Sequence, residues 1–428
     1  MSFPRYERYK ESGAEWLGEV PEYWDVKRIG YYFNERREKV SDKDYPALSV
    51  TKNGIVPQLD TAAKTDDGDN RKKVCKGDFV INSRSDRKGS SGVSDRDGSV
   101  SLICTVIRPQ EQVYTPFVHH LLRCQPFQEE FYRNGKGIVA DLWSTNYSEM
   151  RNIHLGMPPI SEQQAIAVFL DRETAKIDAL IAEQQRLIAL LAEKRQATIS
   201  HAVTKGLNPD APMKDSGVEW LGVMPEHWVT PTLNSRYSIE LGKMLDEKRI
   251  TGTHLVPYLR NIDVQWDSIN YEELPEMDIQ EVEFPRYTVQ KGDLLICEGG
   301  EVGRAAMVAD LVGICGFQKA LHRVRPRDAS EHTRFLFYTF VWAAATGVFK
   351  VGGTSTIAHL TGEQLRRYRF PKPPYVEQTA IAAFLDIYTT SLDTLTTEAQ
   401  RAITLLQERR TALISAAVTG KINVQGVA

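Results

Sequence analysis

PPISEQQAIAVFLDRETAKIDALIAEQQRLIALLAEKRQATISHAVT, residues 158–204, returns 215 positions later as PPYVEQTAIAAFLDIYTTSLDTLTTEAQRAITLLQERRTALISAAVT, residues 373–419, with 27 of 47 positions identical and no gap. A repeat of this length governs the reading of everything around it. Pro158-Pro159 stops the strand-like stretch before it, and Ser161 with Glu162 stands where a helix start is expected. From there Ile166, Leu170, Ile177, Leu180, Leu187 and Leu191 recur at spacings of three and four, broken by Glu173 and Gln184. The second copy continues the pattern with Ile381, Leu385, Tyr388, Leu392, Leu395, Ala399, Ala402, Leu406 and Leu413. Such runs with charged flanks predict a coiled-coil seam. About 45 residues rising ~1.5 Å each make a rod of about 65 Å. Two rods in one chain can pair with each other, antiparallel if the two halves are related by a pseudo-twofold; the alternative is two separate helices used as ordinary core.

Working outward, a second repeat appears. KESGAEWLGEVPEYW at residues 10–24 returns as KDSGVEWLGVMPEHW at 214–228, 204 positions later, with 10 of 15 identical. Residues 25–157 and 229–372, between the repeated parts, share only anchors such as Lys76-Gly77-Asp78 with Lys291-Gly292-Asp293 and Arg108-Pro109 with Arg325-Pro326. Each variable stretch mixes β-rich runs (77–81 and 100–109; 292–297 and 313–325) with an apolar helical one (from Phe117 to Phe127; 335–345). Val100, Leu102, Cys104 and Val106 alternate as one face of a strand would. The expected fold class is therefore α+β: two mixed α/β domains joined by two long helices that pair as an antiparallel coiled coil, with a pseudo-twofold internal repeat. The divisions fall at 1–157, 158–208, 209–372 and 373–428, with a Gly/Pro-rich linker at 206–217.

Composition narrows the function. With 428 residues, 42% apolar and 25% charged, the chain is an ordinary globular one, not disordered or fibrous. Its formal charge of −3 carries no whole-chain basic signature. The start has no apolar core of a signal peptide, and the charge-free run 335–349 is shorter than the roughly 20 residues of a membrane span. Five cysteines (75, 104, 124, 297, 315), odd in number and unpaired in spacing, suggest a reduced, cytosolic protein.

Catalytic motifs are wanting. Lys372-Pro373-Pro374-Tyr375 lies one residue from the Asn/Asp-Pro-Pro-aromatic motif of amino-methylating enzymes, but lysine offers no acceptor for the amino group. The first copy reads Met157-Pro158-Pro159-Ile160 and loses the aromatic too. Asp293 and Glu298 are spaced like a nuclease acid pair, yet Gly299-Gly300 follows in place of lysine. No GxxxxGK[ST] occurs. His119-His120 and Cys124 lack a second cluster and read as helix residues rather than metal ligands.

The layout, with EWLG-x-x-PE-x-W and PP-x-x-EQ-x-AIA-x-FLD each occurring twice around a divergent domain, resembles the specificity subunit of Type I restriction–modification systems over essentially the whole chain. The resemblance implies two target recognition domains, each reading one half of a split site in double-stranded DNA. The repeated helices then serve as spacer and docking surface for two modification (methyltransferase) subunits and for restriction subunits. No cofactor is expected on this chain; S-adenosylmethionine, ATP and Mg belong to the partners, and no membrane is involved. Spacer and docking residues would be Glu162, Gln163, Phe169, Leu170, Leu180, Leu187, Leu191, Glu377, Gln378, Phe384, Leu385, Leu395 and Leu406. A self-sufficient methyltransferase or nuclease is the competing class; the missing motifs argue against it.

Residues 25–157 hold 21 Lys+Arg against 18 Asp+Glu, and residues 229–372 hold 18 of each, so basic charge leans weakly to the first domain. Phosphate binding must rest on local placement. Candidate DNA contacts are Asn82, Ser83, Arg84, Arg87, Lys88, Lys136 and Asn146 in the first domain. In the second they are Arg260, Asn261, Arg304, Lys319, Lys350, Thr354 and Ser355. Arginine can bond guanine O6/N7 and asparagine adenine N6/N7 in the major groove.

Overall fold

The computed structural model describes residues 3–59, 68–137, 143–245, 252–309, 311, 313–350 (backbone only at 350) and 359–426. Two compact units divide the chain, one formed by Met1–Gln185 with Gln400–Ala428, the other by Arg186–Ala399. The repeated segments are unbroken helices, Ile160–Lys205 of 46 residues and Tyr375–Val418 of 44. The division falls inside both, so each unit takes the start of one long helix and the end of the other.

Pairing within each unit is antiparallel. In the first, Ile166, Leu170 and Ile177 share a core with Leu413, Ala417 and Val418. In the second, Ile199, Ala202 and Val203 share a core with Ile381, Ala382 and Leu385. Arg410 Nε lies 2.8 Å from Asp178 Oδ1 in the first unit, and Arg195 pairs with Asp393 in the second. Arg410 and Asp393 stand 215 positions after Arg195 and Asp178, so the repeat makes one ion pair twice. The second helix has Thr390-Ser391 where the first has Ala175-Lys176, and it runs on unbroken. Thr389 and Thr390 hydroxyls donate to the carbonyls of Leu385 and Asp386, four residues back, and the helix passes through.

Both variable stretches build the same antiparallel sheet. In the first unit the order is Ser91–Val93, Phe79–Asn82, Cys104–Pro109, Phe33–Glu35. In the second it is Ala305–Met307, Leu294–Cys297, Leu321–Pro326, Tyr237–Leu241. The shared Lys-Gly-Asp anchor explains itself here. Asp78 is buried, accepts the Cys75 N–H at 2.8 Å and takes a fork from Arg36. Asp293 accepts the Gln290 N–H at 2.8 Å and takes its fork from Arg325, borne on a different strand. The alternation read through Val100 to Val106 is interrupted: strands Gly98–Val100 and Cys104–Pro109 are separate, and Leu102 is exposed in the turn between them.

The short repeat is a hairpin that locks each domain to its long helix. Tyr9–Glu11 pairs with Glu19–Pro21, and Met213–Asp215 pairs with Val223–Pro225 in identical register. The tryptophan that follows is fully buried in both. Trp24 Nε1 donates to Glu162 Oε1 at 3.3 Å, and Trp228 Nε1 to Glu377 Oε2 at 3.0 Å. The adjacent glutamines fix the chain entering the helix. Gln163 accepts the Tyr114 N–H and donates to the carbonyls of Gln112 and Pro158; Gln378 does the same with His332, Ser330 and Pro373.

Candidate nucleic-acid interface

In the first unit, strand Phe79–Asn82 runs into the 3-10 turn Ser85–Arg87. The base of this segment is pinned: Tyr132 OH donates to the Asn82 carbonyl at 3.1 Å, and the Thr145 N–H to that of Ser83 at 3.0 Å. Ser83 is itself buried, its hydroxyl 3.0 Å from Thr105 Oγ1, so it holds the loop and presents nothing to a ligand. Arg84, Arg87 and Lys88 are exposed at its crest. Asn82, Arg84 and Arg87 line a cleft of about 780 Å³ together with Lys52, Gln58 and Ser101. Arg71, which also lines it, is buried and held by Ser99 through its Nε at 2.9 Å. Cys104 is in the same wall, its thiol pushed up to about 12 by burial, and it stays protonated.

Two segments predicted separately come side by side. Arg84 and Lys136 both bridge to Ser144 in antiparallel fashion. Lys136 Nζ lies 3.1 Å from Glu149 Oε1 on the short helix Tyr147–Met150, which Asn146 precedes with an exposed side chain that does not cap it. Sequence reading missed Lys52 and Gln58. They belong to the hairpin Leu48–Thr51 with Gly54–Pro57, whose signal was Lys52-Asn53-Gly54 between two apolar runs.

The second unit treats its candidates differently. Asn261 donates to the carbonyls of Gly299 at 3.1 Å and Ala320 at 3.4 Å, while its Oδ1 accepts Arg304 Nη2 at 2.9 Å. Arg304 also reaches the Asn261 carbonyl at 3.0 Å, and Arg260 forks onto Asp263 at 2.8 and 2.9 Å. The structure thus brings Arg260, Asn261 and Arg304 together, but as a clamp on the ends of strands Leu255–Leu259 and Leu294–Cys297. Lys319 is exposed beside that clamp and has no acidic partner among the described residues. Thr354, Ser355 and the side chain of Lys350 lie outside the described residues. The loop after Leu294–Cys297 occupies the place held in the first unit by the Arg84–Lys88 loop, since the two strands have the same neighbours.

Of the long-helix candidates, Glu162, Gln163 and Gln378 are buried in the locks above, with Glu377 partly covered, and Leu170, Leu385, Phe169 and Leu191 are core. Leu406 packs against the first core. Leu180 (51% exposed), Leu187 (40%), Leu395 (44%) and Phe384 (38%) leave apolar surface on the helices.

The motifs weighed for catalysis have other employment. Lys372 Nζ sits 2.8 Å from Glu331 Oε1, and Asp293 is held by Arg325. His119 accepts Arg123 at 2.6 Å, its ring driven to a pKa of about 3 by burial and then by the neighbouring cation. His120 meets Asp171 at 2.8 Å. No helix among the described residues is long and apolar enough to cross a membrane.

A family model described as the Type I restriction modification DNA specificity domain matches residues 225–405. The chain is 23% identical over 371 residues to the Type I restriction enzyme EcoKI specificity subunit of Escherichia coli K12, covering 82% of this chain and 76% of that one. To the putative type I restriction enzyme MjaX specificity subunit of Methanocaldococcus jannaschii it is 21% identical over 457 residues, 99% of each. A solved chain from work on complex assembly and conformational transition of the type I R-M system has a TM-score of 0.64 at 20% identity, covering 93% of this chain and 98% of that one. The HsdS subunit from Thermoanaerobacter tengcongensis gives 0.59 at 18%, covering 94% and 98%. The last two likenesses are likenesses of fold.

Proposed function

We infer that the chain belongs to the DNA-specificity subunits of Type I restriction–modification systems, and that its two units are two readers of one divided DNA site. The observation that carries this reading is the same four-stranded sheet built twice, with unlike polar loops after the matching strands Phe79–Asn82 and Leu294–Cys297. A fixed scaffold with exchangeable loops is what base recognition requires. Phosphate contacts position the protein without sequence information, and side chains at the crest of a loop reach base edges. In the first reader Arg84 and Arg87 are the residues for base edges, with Lys52 and Lys88 for phosphate. In the second, Asn261 and Arg304 shape the reading loop, and Lys319 is an exposed cation beside it. Because the readers differ, the site is asymmetric, following the rule that site symmetry mirrors protein symmetry.

Methyl transfer and DNA cleavage fall to partners. Two modification subunits dock on the long helices, with restriction subunits joining them in the cytoplasm; S-adenosylmethionine, ATP and Mg act there and not on this chain. Exchanging residues 25–157 for the same stretch of a relative, followed by mapping of methylated bases, tests the assignment. One half of the target should change and the other persist. A chimera that stays active with both halves changed, or neither, overturns it.

A further inference from the structure

The two units differ in one buried cluster of side chains beside the start of the long helix. In the second, Arg236 is buried and forks onto Glu331 at 2.9 and 2.7 Å, while Lys372 Nζ lies 2.8 Å from the same carboxylate and 3.0 Å from Ser330 Oγ. Tyr237 OH completes the cluster at 3.0 Å. The equivalent positions in the first unit follow from matching backbone bonds. Gln110 N–H donates to the Tyr32 carbonyl as Arg327 N–H does to that of Arg236. Tyr114 N–H donates to Gln163 as His332 N–H does to Gln378. Tyr32, Phe33, Val113 and Met157 therefore stand where the second unit has Arg236, Tyr237, Glu331 and Lys372.

Both internal cations and the acid between them are gone from the first unit. What remains is a cleft of about 380 Å³ at the start of the first long helix, lined by Tyr23, Asp25, Tyr32, Glu111 and Met157 among others. Ligand clefts run from about 300 to 1,000 Å³, so this one is sized for a side chain. Tyr32 is 2% exposed, and its hydroxyl has no hydrogen-bond partner among the described residues. A buried polar group of that kind costs stability until something satisfies it. Asp25 and Glu111 add carboxylates, of which, among the described residues, only Asp25 has a nearby cation, the half-buried Lys27 at 3.4 Å.

We propose that this cleft receives an arginine side chain from a partner protein: its guanidinium donates to the Tyr32 oxygen and to the Asp25 and Glu111 carboxylates, supplying from outside the cation that the second unit carries as Arg236. A guanidinium fits better than an ammonium because its planar fork serves several acceptors at once and stacks on tyrosine rings. The acidic mouth excludes DNA as the occupant. Resting on the function proposed above, the partner is a modification subunit, so the two units hold their modification subunits by unlike contacts.

The site is tested without the partner by labelling the full chain with 3-fluorotyrosine, assigning the Tyr32 fluorine resonance with Tyr32→Phe, and titrating acetyl-Gly-Arg-Gly-amide or its citrulline equivalent. The arginine peptide should move the Tyr32 resonance and the citrulline peptide should not. Asp25→Asn with Glu111→Gln, both at the mouth, should weaken the response about tenfold at low salt. Tyr32→Arg with Val113→Glu should abolish it by filling the cleft from within. No movement, or equal movement with citrulline, overturns the site. Association with purified modification subunits then tests the partner. The Asp25→Asn/Glu111→Gln chain should bind them about tenfold more weakly than the parent. Equal binding overturns the partner assignment, whereas a parent chain that binds no modification subunit overturns the functional reading and leaves the peptide result standing.

Discussion

Replacing Arg236 by methionine should loosen the second unit alone. The guanidinium makes two charge-assisted bonds to Glu331 and two longer ones, 3.3 and 3.2 Å, to the carbonyls of Phe370 and Pro371. Both side chains of the pair are 1% exposed, so water cannot stand in for the lost partner. Breaking a buried pair from one side costs about 3–5 kcal/mol. Lys372 and Tyr237 still face the carboxylate and soften the loss, which puts the expected value near ~3 kcal/mol, or about a hundredfold in an opening equilibrium. Glu331→Gln should cost a similar amount. The double variant should cost far less than the sum, with a coupling of about 2 kcal/mol, because the second change removes the stranded charge.

The assay is native-state hydrogen exchange resolved by peptide, since a chain of two units has no single unfolding constant. Strands Leu294–Cys297 and Leu321–Pro326 should lose protection by about a hundredfold, while Phe79–Asn82 in the first unit should not. Acid should act the same way. Burial disfavours the Glu331 charge, but Arg236, Lys372 and Tyr237 outweigh it and hold the carboxyl below its ordinary 4.5. A depressed carboxyl contributes stability above its unfolded pKa and loses it as pH falls through the folded one. The second unit's acid limit should therefore move up in Glu331→Gln. Additive single variants, or loss of protection in both units alike, would refute the reasoning.

Other expectations follow from the same geometry. Arg84→Ala should weaken DNA binding by about 1–3 kcal/mol and relax specificity in one half-site only, read by competition between site variants; uniform weakening would reassign Arg84 to phosphate. Gly420→Ala should lower the melting temperature well beyond Gly217→Ala, since both have positive φ (72° and 68°) but only the first would set a Cβ 2.4 Å from Pro21 Cδ. Equal shifts would show that backbone strain alone matters. Trp228→Phe should cost about 1–2 kcal/mol for the bond to Glu377 and some packing, against about 3–5 for Trp228→Ala, by thermal unfolding of the second unit.

The fold was legible because it is written twice. A 27-in-47 match cannot be local accident, and its period placed both long helices within a residue or two of their observed starts. Thr389 and Thr390 leave the second helix unbroken, since their hydroxyls bond to its own backbone carbonyls. Leu102 was misread as part of one strand face. Alternation cannot reveal that a strand has been cut by a turn when the residues on either side keep the pattern.

The site was legible only by residue type. Asn82, Arg84, Ser83, Asn261 and Arg304 all read alike as polar loop residues, yet Arg84 reaches outward, Ser83, Asn261 and Arg304 hold loops in place, and Asn82 lines the cleft while accepting the Arg84 N–H at 3.1 Å. What separates them is partners supplied from distant sequence. Thr105 turns Ser83 inward, and the carbonyls of Gly299 and Ala320 claim Asn261. Glu162 and Gln163 invert the error. They sit in the most repeated motif of the chain, and the family resemblance placed them on a docking face, but here they form a buried lock between hairpin and helix. A segment repeated within one chain marks what both halves must build alike, while discrimination and asymmetric docking reside where the halves differ. By that argument the Tyr32 and Arg236 positions, one unsatisfied and one self-satisfied on matching backbones, are more informative about partners than any identical pair.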